Sequence, residues 1–198
     1  MNLLILRWLA LSIFLFQPIV VSLYSQDEDR YEAPGKIYII SEFGLVVGNV
    51  ISIDVGPAVG YHLTERISAG IGGRYEFFRK IDDFTREELI RTDIFGGRVF
   101  TRALLVPDLR DIIPFNIPLG IVAQAEFEVL SLENEAFGSD PDITEGRFWY
   151  PAILAGGGIT QQTSERSYMN FLVLWELTNS SNSPYFNPLI RFGFQIYF

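Results

Sequence analysis

The segment from Ile190 to Phe198 constrains the fold more than any other part of the sequence. Its apolar residues occupy every second position, while Arg191 and Gln195 lie among the intervening ones. A period of two places side chains on alternate faces of a β-strand, whereas a helix would spread them around its axis. The segment therefore predicts a strand whose apolar face consists of Ile190, Phe192, Phe194, Ile196 and Phe198.

The same alternation recurs along the chain and predicts eight strands. They are Lys36–Val47, Val50–His62, Ile67–Phe78, Ile94–Leu105, Ile121–Leu130, Arg147–Thr160, Tyr168–Leu177 and Ile190–Phe198. Short polar connections alternate with longer acidic ones, as is typical of transmembrane β-barrels. The short ones are 62–66 and 160–166, and the long ones are 80–93 and 132–146.

Two connections depart from that pattern. Gly48-Asn49 predicts a very tight turn where a longer loop is expected. The segment 106–116 is long for a turn, so it is expected to hold a short helix or to extend the neighbouring strands.

The composition supports one strand-rich domain. Of the 198 residues, 48% are hydrophobic and 15% aromatic, and no shift in composition indicates a second core. The absence of cysteine excludes a disulfide scaffold, a cysteine-ligated zinc site and a thiol nucleophile. The formal charge of −9 argues against nucleic acid as a partner, because phosphate binding needs clustered Lys and Arg.

The first 25 residues have the pattern of an export signal. Arg7 precedes an apolar run from Trp8 to Phe16, and Pro18 follows it closely. The run is too short to span a bilayer as a helix, which favours a cleaved signal peptide over a retained anchor. We therefore predict a signal peptide at 1–25, an amino-terminal lead-in at 26–35 and a β domain at 36–198.

The polar faces of the predicted strands carry both signs of charge at their centres, with Arg preferred to Lys. An eight-stranded barrel has an interior only wide enough for side chains to fill, and unpaired ions buried there would cost several kcal/mol each. We therefore predict a paired charge network that closes the lumen. Its members are Glu42, Asp54, Arg74, Glu76, Arg98, Arg102, Glu126, Glu128, Glu176 and Arg191.

Alternation alone does not separate a membrane barrel from a β-sandwich or a lipocalin, because all three have one polar and one apolar face. Large aromatic residues toward the strand ends, such as Tyr75, Trp149 and Trp175, favour the interfacial girdles of a membrane barrel. Together with the export signal, they predict an eight-stranded antiparallel up-and-down transmembrane β-barrel.

Three features bear on whether the chain has a site of chemistry. His62 is the only histidine and is expected on the polar face at an inner turn, far from lipid A of the outer leaflet. The run Gly156-Gly157-Gly158 lacks the following Lys of a phosphate-binding loop and is better explained by close strand packing. The loop acids lack the spacing of a calcium loop and are expected to be solvated: Asp82, Asp83, Glu87, Glu88, Glu133, Glu135, Asp140 and Asp142. We predict no catalytic residue, metal site or cofactor.

Three stretches resemble small outer-membrane β-barrel proteins of Bacteroidota-type bacteria, with an eight-stranded OmpA/OmpX-like architecture. They are IDVGPAVGYHLTERISAGIGGRYEFFR (Ile53–Arg79), AQAEFEVL (Ala123–Leu130) and SPYFNPLIRFGFQIYF (Ser183–Phe198). The resemblance implies a location in the bacterial outer membrane and brings no catalytic residues. The last strand also resembles the signal by which such proteins reach the barrel assembly machinery, carried here by Ile190, Phe192, Phe194, Ile196 and Phe198.

The expected function is that of a non-enzymatic outer-membrane protein with a plugged, porin-like fold. Its surface loops are expected to act in envelope integrity, in interaction or in a larger outer-membrane complex. The expected partners are outer-membrane lipid and lipopolysaccharide, the assembly machinery during biogenesis, and another outer-membrane protein. Two alternatives are a lipid-modifying enzyme of the outer membrane and a soluble periplasmic lipocalin-like carrier with its apolar faces turned inward.

Overall fold

Eight antiparallel strands close into a barrel in the computed structural model, which describes residues 37–46, 50–82, 88–112, 118–138, 145–178 and 180–198. The strands are β1 (Ile37–Val46), β2 (Val50–His62), β3 (Ile67–Ile81), β4 (Glu88–Val106), β5 (Leu119–Glu133), β6 (Arg147–Ser164), β7 (Ser167–Glu176) and β8 (Leu189–Tyr197). Each strand pairs with its neighbours in sequence, and β1 pairs with β8. The predicted all-β, eight-stranded up-and-down barrel is confirmed. The predicted signal peptide and lead-in lie outside the described residues.

The two faces of each strand differ sharply in chemistry. Large apolar side chains point outward and stay exposed, with Ile71 at 66% and Phe194 at 54% of their maximum. Inward positions hold Arg, Glu and Gln as well as apolar residues, nearly all of them buried. A protein surrounded by water hides most of its large apolar side chains, so this exterior suits the hydrocarbon of a bilayer. The orientation is the reverse of what a lipocalin-like carrier with inward apolar faces requires.

The barrel has two distinct ends. We call the loop end the one where β3 joins β4, β5 joins β6 and β7 joins β8. The turn end is the opposite one, where β2 joins β3 and β6 joins β7 through a few residues. The eight strands therefore run between the two ends and form the barrel wall. Residues far apart in sequence meet inside it.

Several strands are longer than the sequence predicts. β3 and β4 remain paired as far as Ile81 and Glu88, so the connection predicted at 80–93 is too long. β6 likewise continues to Ser164, which shortens the turn predicted at 160–166. We call the band of outward-facing apolar side chains the apolar belt. The backbone hydrogen bonds continue beyond this belt, where the alternation of apolar and polar side chains no longer marks a strand. The tight turn predicted at Gly48-Asn49 lies outside the described residues.

Two connections contain short helices. The one predicted at 132–146 holds α1 (Asn134–Phe137), and the one at 106–116 holds a 3-10 turn at Leu109–Asp111. The carboxylate of Asp108 accepts a hydrogen bond from the backbone N–H of Arg110, 2.9 Å away, and so caps this turn. Hydrogen bonding from the Arg110 side chain lowers the pKa of the Asp108 carboxyl. None of the helices in the described ranges is long and apolar enough to cross a bilayer.

Candidate functional site

The ten charged residues of the predicted lumen network all point inward, and none is more than 8% exposed. They come from β1, β2, β3, β4, β5, β7 and β8, and most lie near the middle of the barrel wall. Strand alternation explains their grouping. On β5, for example, Gln124, Glu126 and Glu128 occupy three successive inward positions.

Arg191 of β8 lies at the centre of the network and is 1% exposed. Its Nη1 is 2.7 Å from Glu126 Oε2, and its Nη2 is 2.9 Å from Glu128 Oε1. Its Nη1 also lies 3.8 Å from Glu42 Oε2. The planar guanidinium suits such forked contacts with several carboxylates. Arg191 thereby connects β8 with β5 and β1 across the interior.

Glu42 of β1 receives two arginines from β4. Arg98 Nη1 lies 2.6 Å from Glu42 Oε2, and Arg102 Nη2 lies 3.2 Å from Glu42 Oε1. Arg102 also donates to the side-chain oxygens of Gln124, at 2.6 Å, and of Gln195, at 2.9 Å. The glutamines satisfy guanidinium donors that carboxylates do not reach, which reduces the cost of burying the ions.

Arg74 of β3 forms the part of the network nearest the loop end. Its Nη2 lies 2.7 Å from Glu76 Oε2 and its Nη1 lies 2.8 Å from Glu128 Oε2. The hydroxyl of Tyr185 accepts from Arg74 Nη1 at 2.8 Å and donates to Glu128. The Arg74 guanidinium also lies 4.9 Å from the centroid of the Tyr185 ring. A tyrosine from a loop is thus part of the ion-pair network.

Two members of the predicted network stand apart from the arginines. Within the described ranges, Asp54 forms no ion pair and Glu176 forms none either. Glu176 instead accepts hydrogen bonds from the hydroxyls of Tyr150 and Ser183, both at 2.5 Å. The eight remaining residues form the connected network of ion pairs.

Aromatic rings close the interior at the turn end. Tyr38, Phe100, Tyr168 and Tyr197 pack in one buried cluster with apolar neighbours. His62 joins this cluster, with its ring stacked on that of Tyr197 and its Nε2 3.1 Å from the Tyr197 hydroxyl. We call these five residues the turn-end seal. The only histidine therefore lies on the inner side of the wall, at the turn end, as the sequence predicts.

Residues 180–188, between β7 and β8, cover the loop end, and we call them the strap. Asn187 Oδ1 accepts from the backbone N–H of Glu176 at 2.8 Å, and the Phe186 ring stacks on that of Phe78. Tyr185 reaches from the strap into the network. Burial raises the pKa of the Tyr185 hydroxyl well above its usual value, and the negative charge of Glu128 acts in the same direction.

A cavity of about 30 Å³ lies beneath the strap. Ser52, Asp54 and Arg74 line it, together with Tyr185 and Arg191. That volume holds one or two water molecules. The carboxylate of Asp54 and the unpaired Nε of Arg74 and Arg191 are polar groups that such water could satisfy.

Sequence reasoning missed the strap and Tyr185. The only signal was a pair of aromatic residues between two prolines, Pro184-Tyr185-Phe186-Asn187-Pro188. Apolar side chains also lie inside the barrel toward the loop end, among them Phe78, Ile94, Leu130, Leu154, Leu172 and Leu174. Alternation places Phe78, Leu172 and Leu174 on the inward faces of β3 and β7, but the predicted lumen network names only charged residues.

The glycines of β6 are explained by close packing of strands. A Cβ on Gly156 would lie 2.0 Å from the carbonyl oxygen of Val173, and one on Gly158 would lie 1.8 Å from that of Phe171. A Cβ on Gly157 would lie 2.7 Å from the carbonyl oxygen of Val122. No side chain fits at these distances, so the run serves the barrel wall.

The residues predicted to carry the assembly signal all point outward from β8 or its end. Ile190, Phe192, Phe194, Ile196 and Phe198 are each about half exposed or more. Phe198 follows β8, and its backbone N–H donates to the carbonyl oxygen of Ile37 at 3.0 Å. These positions belong to the apolar belt, and the role of the residues in assembly stays a prediction.

Among the predicted loop acids, Glu88 and Glu133 pair with arginines rather than with one another. Glu88 lies 2.6 Å from Arg79, and Glu133 lies 2.7 Å from Arg147. Asp83, Glu87, Asp140 and Asp142 lie outside the described residues. Nowhere in the described ranges do three or more His, Asp or Glu residues group in a way that could hold a metal ion.

No protein-family model and no curated protein matches the chain. The solved structures that are similar in fold include the following three. The amino-terminal β-barrel domain of Pseudomonas aeruginosa OprF has 12% identity and a TM-score of 0.45, and the match covers 82% of this chain and 96% of that one. A de novo designed transmembrane β-barrel has 16% identity, a TM-score of 0.39 and coverages of 84% and 96%. Ail, the attachment invasion locus protein of Yersinia pestis, has 10% identity, a TM-score of 0.32 and coverages of 82% and 95%.

Proposed function

We propose that this chain is an outer-membrane protein without enzymatic activity, whose lumen is closed and whose loop end carries its function. The packed interior is the observation on which this proposal depends. The turn-end seal, the ion-pair network and the strap succeed one another along the barrel axis. An interior filled in this way leaves the exterior and the loop end as the surfaces for interaction.

The outer membrane is the proposed location because two independent features favour it. The exterior of the barrel is an apolar belt, and transmembrane barrels of this kind belong to outer membranes. The predicted signal peptide supplies the export that such a location requires. Action in envelope integrity or as a subunit of a larger complex, assistance by the assembly machinery, and a Bacteroidota-type origin remain predictions.

The geometry gives little support to the alternative of a lipid-modifying enzyme. Such an enzyme needs a nucleophile, a base and an acid that meet where lipid can reach them. His62 faces inward at the turn end and is stacked on Tyr197. The lipid-facing side of the described barrel is almost entirely apolar. We therefore propose that the protein acts by binding rather than by chemistry.

Ion conductance tests the closed lumen. Purified protein in planar bilayers is expected to give no steady opening on the nanosiemens scale. A variant that lacks Tyr185 and Phe186 at the strap (Tyr185→Ala with Phe186→Ala) tests whether the turn-end seal suffices, and it is also expected to stay closed. Regular, well-resolved openings of the natural chain would contradict the proposal.

Membrane location needs its own experiment. We expect the protein to stay in the membrane fraction after alkaline washing and to be released only by detergent. An epitope inserted between Asp83 and Arg86 is expected to be reached by antibody on intact cells. The same epitope inserted between Glu165 and Arg166 should be reached only after the outer membrane is permeabilised. Release by washing, or the reverse pattern of labelling, would contradict the proposal.

A further inference from the structure

Outward-facing cations on the described strands occur only at the loop end, on one side of the barrel. Alternation places Arg79 of β3, Arg91 of β4 and Arg147 of β6 on the same outer face as the apolar belt. The next residues toward the membrane on this outer face are Phe77, Asp93 and Trp149, and Phe95 follows Asp93 on β4. We call Arg79, Arg91 and Arg147 the arginine rim.

Arg79 and Arg91 lie directly opposite each other in the β3–β4 ladder. Like charges in this arrangement destabilise a pair of strands unless an anion lies between or beside them. Glu88 compensates Arg79 in part, through one contact of 2.6 Å with its Nε. Among the described residues, Arg91 has no carboxylate partner, and the terminal nitrogens of Arg79 have none.

The surrounding side chains fix the arginines at the level of the belt edge. The Arg91 guanidinium lies 5.5 Å from the centroid of the Phe77 ring, and that of Arg147 lies 5.7 Å from the centroid of Phe95. Arg147 is fully engaged, because it pairs with Glu133 and donates to the carbonyl oxygens of Asp93 and Ser131. Arg147 therefore orders the rim, while Arg79 and Arg91 hold donors that no described residue accepts.

None of the described carboxylates near the rim contacts Arg91. Glu88 and Glu133 are each paired with one arginine, and the Asp93 carboxylate accepts the hydroxyl of Tyr75 at 2.8 Å. Arg91 thus presents a planar set of N–H donors that no described carboxylate contacts, just above an aromatic ring. A phosphate group matches such donors in charge and geometry.

We propose that Arg79 and Arg91 bind the phosphate group of an anionic lipid in the leaflet that surrounds the loop end. Aromatic residues at the edge of the apolar belt mark the boundary between hydrocarbon and headgroups. Lipid phosphates lie near this depth. Phe77 then contacts the lipid below its phosphate, and Arg147 keeps the neighbouring strands in register. The inference rests on the proposed function, since it requires the barrel to lie in a membrane with a phosphate-bearing outer leaflet.

The test measures lipid bound to the purified barrel by native mass spectrometry in detergent. The probes are diphosphorylated lipid A, the same lipid after removal of both phosphates, and inorganic phosphate. Arg91→Gln is expected to weaken binding of the diphosphorylated lipid by about fivefold, the usual effect of one basic residue at a charged membrane surface. Arg79→Gln together with Arg91→Gln should abolish preferential binding. Arg166→Gln, an exposed arginine of the turn end, is the matched control and should change nothing.

Four outcomes would overturn the site, three of which concern the variants and the lipid without phosphates. Those three are equal affinity of the Arg91→Gln variant and the natural chain, equal binding of the lipid without phosphates, and equal loss in the Arg166→Gln control. Binding of inorganic phosphate as strong as that of the lipid would also overturn it, in favour of a free anion. Alkaline extraction of the same variants separates this result from failure of the proposed function. A barrel that stays in the membrane but shows no phosphate preference refutes only the site.

Discussion

The guanidinium of Arg191 and the carboxylate of Glu126 lie 2.7 Å apart inside the barrel, although 65 positions separate them in the sequence. Their strands, β8 and β5, do not pair with each other. The contact therefore spans the lumen rather than a single ladder. The ion pair therefore links two sides of the barrel through its interior.

Removal of one partner should show how much this ion pair contributes to the free energy of unfolding. Arg191→Met leaves Glu126 and Glu128 without their shared cation, and loss of one partner of a buried pair costs about 3–5 kcal/mol. We expect the free energy of unfolding in lipid vesicles, measured by urea titration, to fall by about that amount. The double variant Arg191→Met with Glu126→Gln should recover part of the loss. A loss below about 1 kcal/mol in the single variant would show that the remaining arginines, Arg74 beside Glu128 and Arg98 beside Glu126, suffice to compensate the carboxylates.

The depth of a position in the apolar belt should decide how much a lysine placed there lowers the free energy of unfolding. Ile71 and Leu63 are similarly exposed, at 66% and 62%, but Ile71 lies in the middle of the outer face and Leu63 lies at the turn end. We expect Ile71→Lys to lower the free energy of unfolding in vesicles by about 2–4 kcal/mol and Leu63→Lys by less than about 1 kcal/mol. Equal effects of the two substitutions would indicate that the barrel does not lie in hydrocarbon.

Tyr185 should give the strap a dependence on pH. Tyr185→Phe removes a hydroxyl that bonds both Arg74 and Glu128, and we expect a loss of about 1–2 kcal/mol at neutral pH. The pKa of Tyr185 is raised in the folded chain, so its contribution is complete below the unfolded value near 10 and is lost as pH rises through the folded value. The difference in stability between the natural chain and the variant should therefore shrink in strongly alkaline solution. A difference in stability that grows in alkaline solution would contradict a raised pKa of Tyr185 in the folded chain.

Two glycines offer a matched comparison. A Cβ on Gly158 would lie 1.8 Å from the carbonyl oxygen of Phe171, whereas one on Gly73 would meet no heavy atom within 4 Å. We expect Gly158→Ala to destabilise the barrel by about 1–3 kcal/mol, through overpacking. Gly73→Ala should be neutral or stabilising by up to about 1 kcal/mol, because glycine weakens a strand interior. Melting followed by the heat-dependent shift in gel mobility measures both.

His62 provides a test of the enzymatic alternative. We expect His62→Ala to leave the chemical composition of the lipid A fraction unchanged, since the ring belongs to the turn-end seal, against Tyr197, and does not face lipid. Mass spectrometry of lipids from cells with the natural chain, the variant or neither makes the comparison. A lipid species that depends on the protein and disappears in the variant would establish catalysis. His62→Gln, which keeps one hydrogen-bonding group near Tyr197, separates loss of catalysis from loss of packing.

Strand alternation was enough to predict the barrel, because each strand lies between lipid and a polar interior. β2 begins and ends where the pattern does, at Val50 and His62. The pattern fails above the belt, where Glu88–Asp93 mixes charged and apolar residues although the backbone stays paired. There the side chains meet solvent on one face and loops on the other, so the period of two loses its chemical meaning.

The candidate site could be predicted only in outline. The signs and faces of Arg191 and Glu126 follow from the sequence, but their contact depends on the closure of β8 onto β1 and on the size of the lumen. Tyr185 was beyond prediction, since a loop residue carries no periodicity. Alternation does give Leu172 and Leu174 an inward face, but a network predicted from charges does not include an apolar layer.

The turn-end seal contains rings and hydroxyls but no ion pair among its five residues. Salt screens buried ion pairs only weakly, so the middle of the barrel is loosened by substitution rather than by ionic strength. Substitutions that break the ion-pair network leave the rings of the seal in contact, so leakage and unfolding should respond to different substitutions. A barrel weakened at Arg191 would still keep its permeability barrier intact.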